Sequence, residues 1–434
     1  MSESAGIDAE LRRATIRKVS WRLLPLLLAM FVASFLDRTN LGVASLQMNG
    51  ALGLSASAYA FGVGVFYFGY ALFEVPSNLF LARIGARKWI ARIAITWGIA
   101  ASAMILARGT TSFYVLRLLL GVAEAGFFPG IVWYLGLWFP ERERARAMSR
   151  FMIGIPLASA IGGPVGGALL SLNGRLGLAG WQWLFLVEGI PAIVLGVVAL
   201  FYLTDSPEKA AWLTAEQRDW LVCEMQRERA ADAGRERADV KRALSSGVTW
   251  SLALLYLFAL CGALGPIFFG PILVRDALGL SDAGTGLVMG AIGLAGIAGM
   301  LVNGWHSDRT GERFVHTAVP FLVAAGGFAM MALGGGSAWT IGGLFAVAIA
   351  ASAFTPTFWC VPSAMFSGTA AAGAIALINS VGNLGGYLGP TLLGKAKDAT
   401  GSYASGMLIL CGLALAAAAM TMLLRRRARS AQRL

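Results

Sequence analysis

Twelve stretches of this 434-residue chain are long and apolar enough to cross a bilayer, and that leaves it few folds. A helix needs about 20 apolar residues to span the hydrocarbon core. The expected cores are 22–45, 57–80, 89–107, 112–138, 147–171, 182–203, 250–274, 284–305, 316–334, 339–364, 370–394 and 404–424. Several exceed the minimum length, so tilted helices are expected. Only 13% of the residues are charged, about half the share of a soluble domain. The 55 glycines suit helices whose backbones approach closely in lipid. The fold class is an all-α polytopic membrane protein.

One connection is long and polar, residues 205–248, and it divides the spans six and six. The expected organisation is an N-terminal six-helix bundle over 1–204, a linker over 205–248 and a C-terminal six-helix bundle over 249–434. An amphipathic helix near Leu213–Arg229 is expected within a largely solvated linker. The net charge of +12 is arranged for topology and not for nucleic acid. Lysines and arginines crowd the N-terminus, the connections after the second, fourth and eighth spans, the linker and the tail. The opposite face carries only Arg108, Arg175, Arg275, Lys395 and Lys397. By the positive-inside rule both termini and the linker are cytoplasmic, in a cell inner membrane. The first 20 residues are polar and basic, and the run after Trp21 has helix length, so no cleavable signal is expected.

The four cysteines lie far apart without a CxxC pair, and His306 and His316 are the only histidines. No metal site is expected from them. A phosphate loop of the GxxxxGK[ST] type is absent, as are HExxH and GxSxG. The chain is therefore read as no enzyme, with no cofactor, and with an ion gradient as its energy source.

The first span holds an acid and a base side by side, Asp37 and Arg38. A charge near the bilayer centre costs about 2.5–3.5 kcal/mol on insertion scales. Such residues line a cavity or pair with one another. Neighbours on a helix point about 100° apart, so these two need separate partners. The fourth span supplies Arg117 and Glu124, two turns apart and on one face. Asp37, Arg117 and Glu124 make an acid–base–acid set in which Arg117, moving between the acids, would switch which one holds a proton. The bland alternative is a static ion network that orients the first and fourth helices. Arg38 is suited to bidentate carboxylate binding, or else to a permanent pair with an acid such as Glu74. Asn379 and Asn383 share a face of the eleventh span and could grip substrate or bind across helices. The glycines around Pro164 and over 382–389 read as close-packing faces.

The chain also echoes itself. Arg83-Ile-Gly-Ala-Arg-Lys88 follows the second span, and Gly304-Trp-His-Ser-Asp-Arg-Thr-Gly-Glu-Arg313 follows the eighth, about half the chain later. A half-chain repeat of six helices points to a two-bundle transporter with a midplane site. The second copy resembles the loop motif of the major facilitator superfamily; in the first, Ala82 replaces the aspartate. Six further stretches resemble the anion:cation symporter branch, in particular its bacterial organic-acid permeases of the tartrate, 4-hydroxyphenylacetate, phthalate and nicotinate type. These are FLDRTNLG at 35–42, EVPSN at 74–78, GVAEAGFFPG around Glu124, WFPERERARA at 138–147, WQWLFLVEGIPA at 181–192 and INSVGNLGGYLGP at 378–390.

The resemblance implies a major facilitator fold of 12 transmembrane helices acting as a monomer. It implies proton coupling through acids at Asp37 and Glu124, and a substrate site that uses Arg38 and the hydroxyl of Tyr70. Where sugar-acid transporters of the family present a polar side chain, this chain has Ile155. With Phe127, Phe128, Phe354, Phe358 and Trp359 in nearby spans, that favours an aromatic carboxylate or a small dicarboxylate. The function expected is proton-coupled uptake of an organic carboxylate anion by alternating access. The alternatives are export of a drug or metabolite, or a membrane sensor built on a transporter fold.

Overall fold

A computed structural model describes residues 2–232, 245–365 and 368–431. Its helices, in order, are α1 (Ser2–Leu52), α2 (Ala56–Ile84), α3 (Ala86–Ser102), α4 (Thr110–Glu124), α5 (Phe127–Trp138), α6 (Glu141–Met152), α7 (Gly154–Leu170) and α8 (Gly180–Tyr202). After the linker helix α9 (Ala215–Asp232) come α10 (Gly247–Leu278), α11 (Asp282–Thr310), α12 (Phe314–Leu333) and α13 (Ser337–Met365). The last three are α14 (Gly368–Asn383), α15 (Gly385–Thr400) and α16 (Ala404–Ala431). Among the described residues 11 helical stretches are long and apolar enough to cross a membrane. The remaining expected span, 370–394, is built from α14 and α15, broken at Leu384.

Local chemistry sets these boundaries. Ser55, Ser246 and Ser281 each accept a backbone N–H at a helix start, and Gly279, Gly311 and Gly401 adopt left-handed conformations at helix ends. The fourth span, expected as one helix over 112–138, is two. Gly126 has φ +84° at the break, and a Cβ there would lie 2.4 Å from Ser77 Oγ. The helix then restarts with Pro129 in its first turn, where a missing N–H is tolerated. The fifth span is likewise divided between α6 and α7 at Ile153.

Spans of the N-terminal half enclose a core that includes Trp97, Phe113, Phe127, Tyr134 and Trp138, all essentially inaccessible. The expected linker helix is α9, but it does not stand in solvent. Leu221 and Met225 are buried, Trp212 stacks on Trp138 with centroids 5.4 Å apart, and Glu228 pairs with Arg144 at 3.3 Å. The missing aspartate at position 82 has a substitute from the end of the sixth span. Asp205 Oδ1 accepts the backbone N–H of Arg87 at 3.0 Å and caps α3. Gly85, at φ +101°, leaves room for it. Asp205→Ala is expected to destabilise the folded protein by about 1 kcal/mol, the usual worth of a lost cap. The midpoint of thermal unfolding in detergent, compared with an Asp205→Asn variant that keeps the acceptor, checks this.

The two halves meet at the end away from the termini and linker. Gly163 and Gly286 bring α7 and α11 into backbone contact, since a Cβ at either would lie within 2.5 Å of the other's carbonyl oxygen. Tyr59 on α2 donates to the carbonyl of Leu41 in its own half or to that of Phe268 in the other, each at 3.1 Å. Gln47 on α1 donates to Asp282 on α11 at 2.7 Å. Arg275 of α10 donates to the Leu46 carbonyl at 2.6 Å. Asp398 of α15 accepts the N–H groups of Ala56 and Ser57 at the start of α2, at 3.2 and 2.9 Å. At the opposite end, the ion pairs Arg12–Glu143 and Arg425–Glu312 each join elements of one half.

Asp398 lies beyond the expected span core. Desolvation pushes its carboxyl up, but hydrogen bonds from Ser57, Ser55 and the Ala56 N–H together outweigh this and hold it below its ordinary value. Because the value is lowered in the contact, the stabilisation is complete above the ordinary Asp value of about 3.9 and fades as pH falls through the lowered one. The contact is thus constant above about pH 4. Asp398→Ala is expected to loosen this end by about 1 kcal/mol, shifting the closed population about fivefold. Distances between spin labels placed across that end report the shift.

Candidate functional site

The intramembrane charges lie on α1 and α4, with α2 and α3 supplying their surroundings. Arg38 Nε and Nη2 both donate to Glu124 Oε1, at 3.0 and 2.7 Å. The Ser34 hydroxyl donates to the same oxygen at 2.7 Å. Ser34 is one turn before Arg38, so one face of α1 presents both donors. Glu124 is fully buried at the end of α4, immediately before the helix break. Its second oxygen, Oε2, has no protein donor. The Arg38 side chain is 21% exposed against 0% for Glu124. The Arg38 side chain therefore borders accessible space while its partner does not.

Aromatic rings enclose the cation. The Arg38 guanidinium lies 5.2 Å from the Tyr70 ring centroid, 5.5 Å from Phe66 and 5.7 Å from Phe35. Arg117 approaches the Phe66 ring at 4.7 Å, so one aromatic ring serves both guanidinium groups. Such placement is favourable by about 0.5–2 kcal/mol when desolvated.

Arg117 differs from the expectation in its bonding. It was expected between Asp37 and Glu124, yet its Nε donates to the Gly62 carbonyl at 3.3 Å. The cation hydrogen-bonded to Glu124 is Arg38, and Arg38 is not paired with Glu74. Arg117 still lies near enough to Asp37 and Glu124 for their charges to interact. Asp37 is buried, with Oδ2 accepting the Trp97 indole N–H at 3.0 Å and Oδ1 without a partner.

The C-terminal half closes over this set. A Cβ at Gly386 would lie 2.8 Å from the Tyr67 ring, and one at Gly382 would lie 2.1 Å from the Tyr256 ring. Asn383 falls between these two contacts and ends α14. Asn379 and Asn383 are half-buried. Tyr256 stacks on Phe358 at 5.3 Å and meets Trp359 edge-on at 5.0 Å. Of the aromatic residues expected around a substrate, Phe127 is instead fully buried core against Trp97. Phe128 stacks on Phe31 at 5.7 Å, and Phe354 and Phe358 belong to the packed centre of the C-terminal half.

Among the described residues no group of three His, Cys, Asp or Glu side chains is placed to hold a metal ion. The sequence reading missed Ser34, Trp97 and Glu188 as members of the polar interior. Glu188 carried a signal, being an ionisable residue inside an apolar span. Trp97 carried none, since a tryptophan in a membrane helix is ordinary.

Residues 26–390 match the Major Facilitator Superfamily. The chain is 45% identical over 423 residues to a protein of Agrobacterium vitis named "Putative tartrate transporter", covering 97% of each. It is 39% identical over 403 residues to the "Quinolone resistance transporter" of Acinetobacter baumannii, covering 92% of each. In structure it resembles the partially occluded inward open conformation of the xylose transporter XylE from E. coli. The TM-score there is 0.75 at 16% identity, covering 93% of this chain and 97% of that one.

Proposed function

The chain belongs to the Major Facilitator Superfamily, and from that premise we propose that it is a proton-coupled transporter of an organic carboxylate anion. It is a multi-pass membrane transporter of the organic-acid permease type, and not an enzyme.

The observation that carries the reading is the convergence of Arg38 and Ser34 on one oxygen of Glu124, with the Arg38 side chain partly accessible and the acid fully buried. Glu124 occupies the donors that an anionic substrate would need. A substrate carboxylate and an ionised Glu124 therefore compete for Arg38. Protonating Glu124 releases Arg38, whose planar fork suits a carboxylate. Tyr70, beside the guanidinium, and Asn379 and Asn383, from the other half, complete the binding site. Asp37 and Arg117 form the second coupled pair. With the linker end read as cytoplasmic from its basic residues, the contacts between the halves lie at the outer end, which fits an inward-open conformation.

In this cycle the outward-open protein takes a proton on Glu124 and an anion on Arg38, the bundles rock, and both leave to the cytoplasm. Arg38 then returns to Glu124. The apolar Ile155 and the aromatic edge formed by Tyr256 and Trp359 favour an aromatic acid or a short diacid over a polyhydroxylated one. Uptake of labelled tartrate, nicotinate, 4-hydroxyphenylacetate, phthalate and a sugar acid into proteoliposomes, with and without an inward proton gradient, tests the reading. Gradient-stimulated entry of one of the first four is the expected result. A sugar acid carried best would overturn the argument from Ile155, and transport of cations alone would overturn the role of Arg38.

A second reading has one observation in its favour, the relative named for quinolone resistance. Export would show as accumulation in inside-out vesicles that is driven by an acidic lumen, protons leaving as substrate enters, and absent from right-side-out ones.

A further inference from the structure

The N-terminal half contains a buried acid that the cycle above leaves without a role. Glu188, on α8, is 7% exposed, and neither carboxyl oxygen has a hydrogen-bond partner. It lies on the inner side of its helix, since Val187, Ile190 and Val194 form the exposed face. The next residue, Gly189, presses α8 against α3. A Cβ there would come within 2.3 Å of Ser102 Oγ and 2.8 Å of the Gly98 carbonyl. Gly98 adjoins Trp97, the tryptophan that donates to Asp37. Glu188, Trp97 and Asp37 thus belong to one layer of the bundle, on α8, α3 and α1.

This layer has more buried polar atoms than the protein satisfies. Asp37 Oδ1, both Glu188 oxygens, and both amide atoms of the wholly buried Asn40 lack partners. Asn40 is three residues from Asp37 and so shares its helix face. Buried polar groups left unpaired by protein are ordinarily bridged by water, and an ionised carboxylate with no donor at all is very costly to bury.

Among the described residues no cation is paired with Glu188. The elements packed on α8 are α3, α1, α7 and the turn Ala103–Leu106. On α3 the charged groups are Arg87, Lys88 and Arg92, near its linker end, with Arg92 seated on the Trp89 ring. On α1, Arg38 is held by Glu124 and Arg22 lies over Tyr202. α7 and the turn carry no charged residue. Among the described residues, Asp37 is close enough for its charge to act on Glu188.

We propose that Glu188 is a proton-carrying residue that exchanges a proton with Asp37 through water held at Asn40. The step is balanced within the pair. Glu188 Oε–H gives its proton to the bridging water as that water gives one to Asp37 Oδ1, and the negative charge passes from Asp37 to Glu188. When Asp37 is ionised beside Arg117, Glu188 stores the proton. When Asp37 takes it, Arg117 loses its counter-charge and is freed to shift. The inference rests on the proton-coupled reading of this chain, to which it adds a third carboxyl.

The test is pH-induced infrared difference spectroscopy on the full chain in liposomes, with gradient-driven uptake measured beside it. The expected result is a buried-carboxyl band that titrates, is lost in Glu188→Gln, returns in Glu188→Asp and shifts its midpoint in Asp37→Asn. The ratio of gradient-driven uptake to exchange should fall about a hundredfold in Glu188→Gln, the lower end of what a positioned proton-transfer group contributes, and recover in Glu188→Asp. A difference spectrum unchanged by Glu188→Gln, or wild-type uptake with an unchanged pH profile in that variant, would overturn the proposal. The infrared readout needs no substrate. A Glu188 band that titrates with Asp37 in a protein that carries no acid would uphold the proton site and refute the transport reading. If Glu188→Gln does not fold, Glu188→Asp alone must shift the band, and a band it leaves in place overturns the proposal.

Discussion

Glu124→Gln is expected to abolish accumulation driven by a proton gradient while leaving substrate exchange intact and insensitive to pH. Glutamine preserves the shape of the side chain and an oxygen for Ser34 and Arg38, but it carries no charge and exchanges no proton. The Arg38 guanidinium then has no anion of the protein to hold it. A substrate carboxylate meets no internal competitor, so its apparent affinity at neutral pH should rise about tenfold or more, equivalent to about 1.4 kcal/mol. Binding of the labelled acid to purified protein and counterflow in liposomes read the two effects separately. Tighter binding joined to lost accumulation is a combination that a damaged fold does not produce. Weaker binding in Glu124→Gln would mean that the acid supports the substrate site and does not compete for it.

Arg38→Ala is the complementary loss. It removes the cation that would grip the substrate and also leaves Glu124 buried with only Ser34 as a donor. Removing one partner of a buried pair costs about 3–5 kcal/mol, and a lost charge-assisted hydrogen bond about 1.5–3 kcal/mol. Binding should therefore fall about ten- to a hundredfold, with exchange and uptake lost together. Arg38→Lys should rescue poorly, because an ammonium cannot reproduce the planar fork. Part of the effect could arise from the orphaned acid. The double variant Arg38→Ala/Glu124→Gln separates the two, since neutralising Glu124 restores stability but not binding. Recovered transport in the double variant would show that Arg38 serves only to neutralise Glu124.

The two substitutions turn on a pairing that the sequence presented only in part. Asp37, Arg38, Arg117 and Glu124 are each conspicuous as charges within apolar spans. Arg117 and Glu124 share a face of one helix, which suggested Arg117 as the bridging cation. Seven residues, however, correspond to about 10 Å of helical rise, too far for the two to bond directly. Arg38 reaches Glu124 from the neighbouring helix instead, and that choice depends on how α1 and α4 are rotated against each other. The break after Glu124 was similarly obscure. Gly126 and Pro129 are visible in the sequence, but the close approach of Ser77 that makes glycine necessary is a tertiary fact.

The spans themselves were legible because lipid imposes a length and a composition on them. Span 370–394 was found by the same rule, although it is built from two helices that meet at Leu384. The loop after the second span shows the limit of motif reading. Ala82 departs from the family pattern, and Asp205, more than a hundred residues later, supplies a carboxylate to that loop. Nothing near position 82 announces it. In the linker a helix forms where one was expected, but its docking, through Glu228 and through Trp212 just before it, depends on Arg144 and Trp138.

The central claim is that an organic anion and a proton travel together because both act on Arg38 and Glu124. The most direct measurement records labelled acid entry and internal pH in the same proteoliposomes, with a concentration gradient of the acid and no imposed proton gradient. The interior is expected to acidify as the acid enters, and Glu124→Gln is expected to uncouple the two. Acid entry with no movement of protons in the wild type would contradict it.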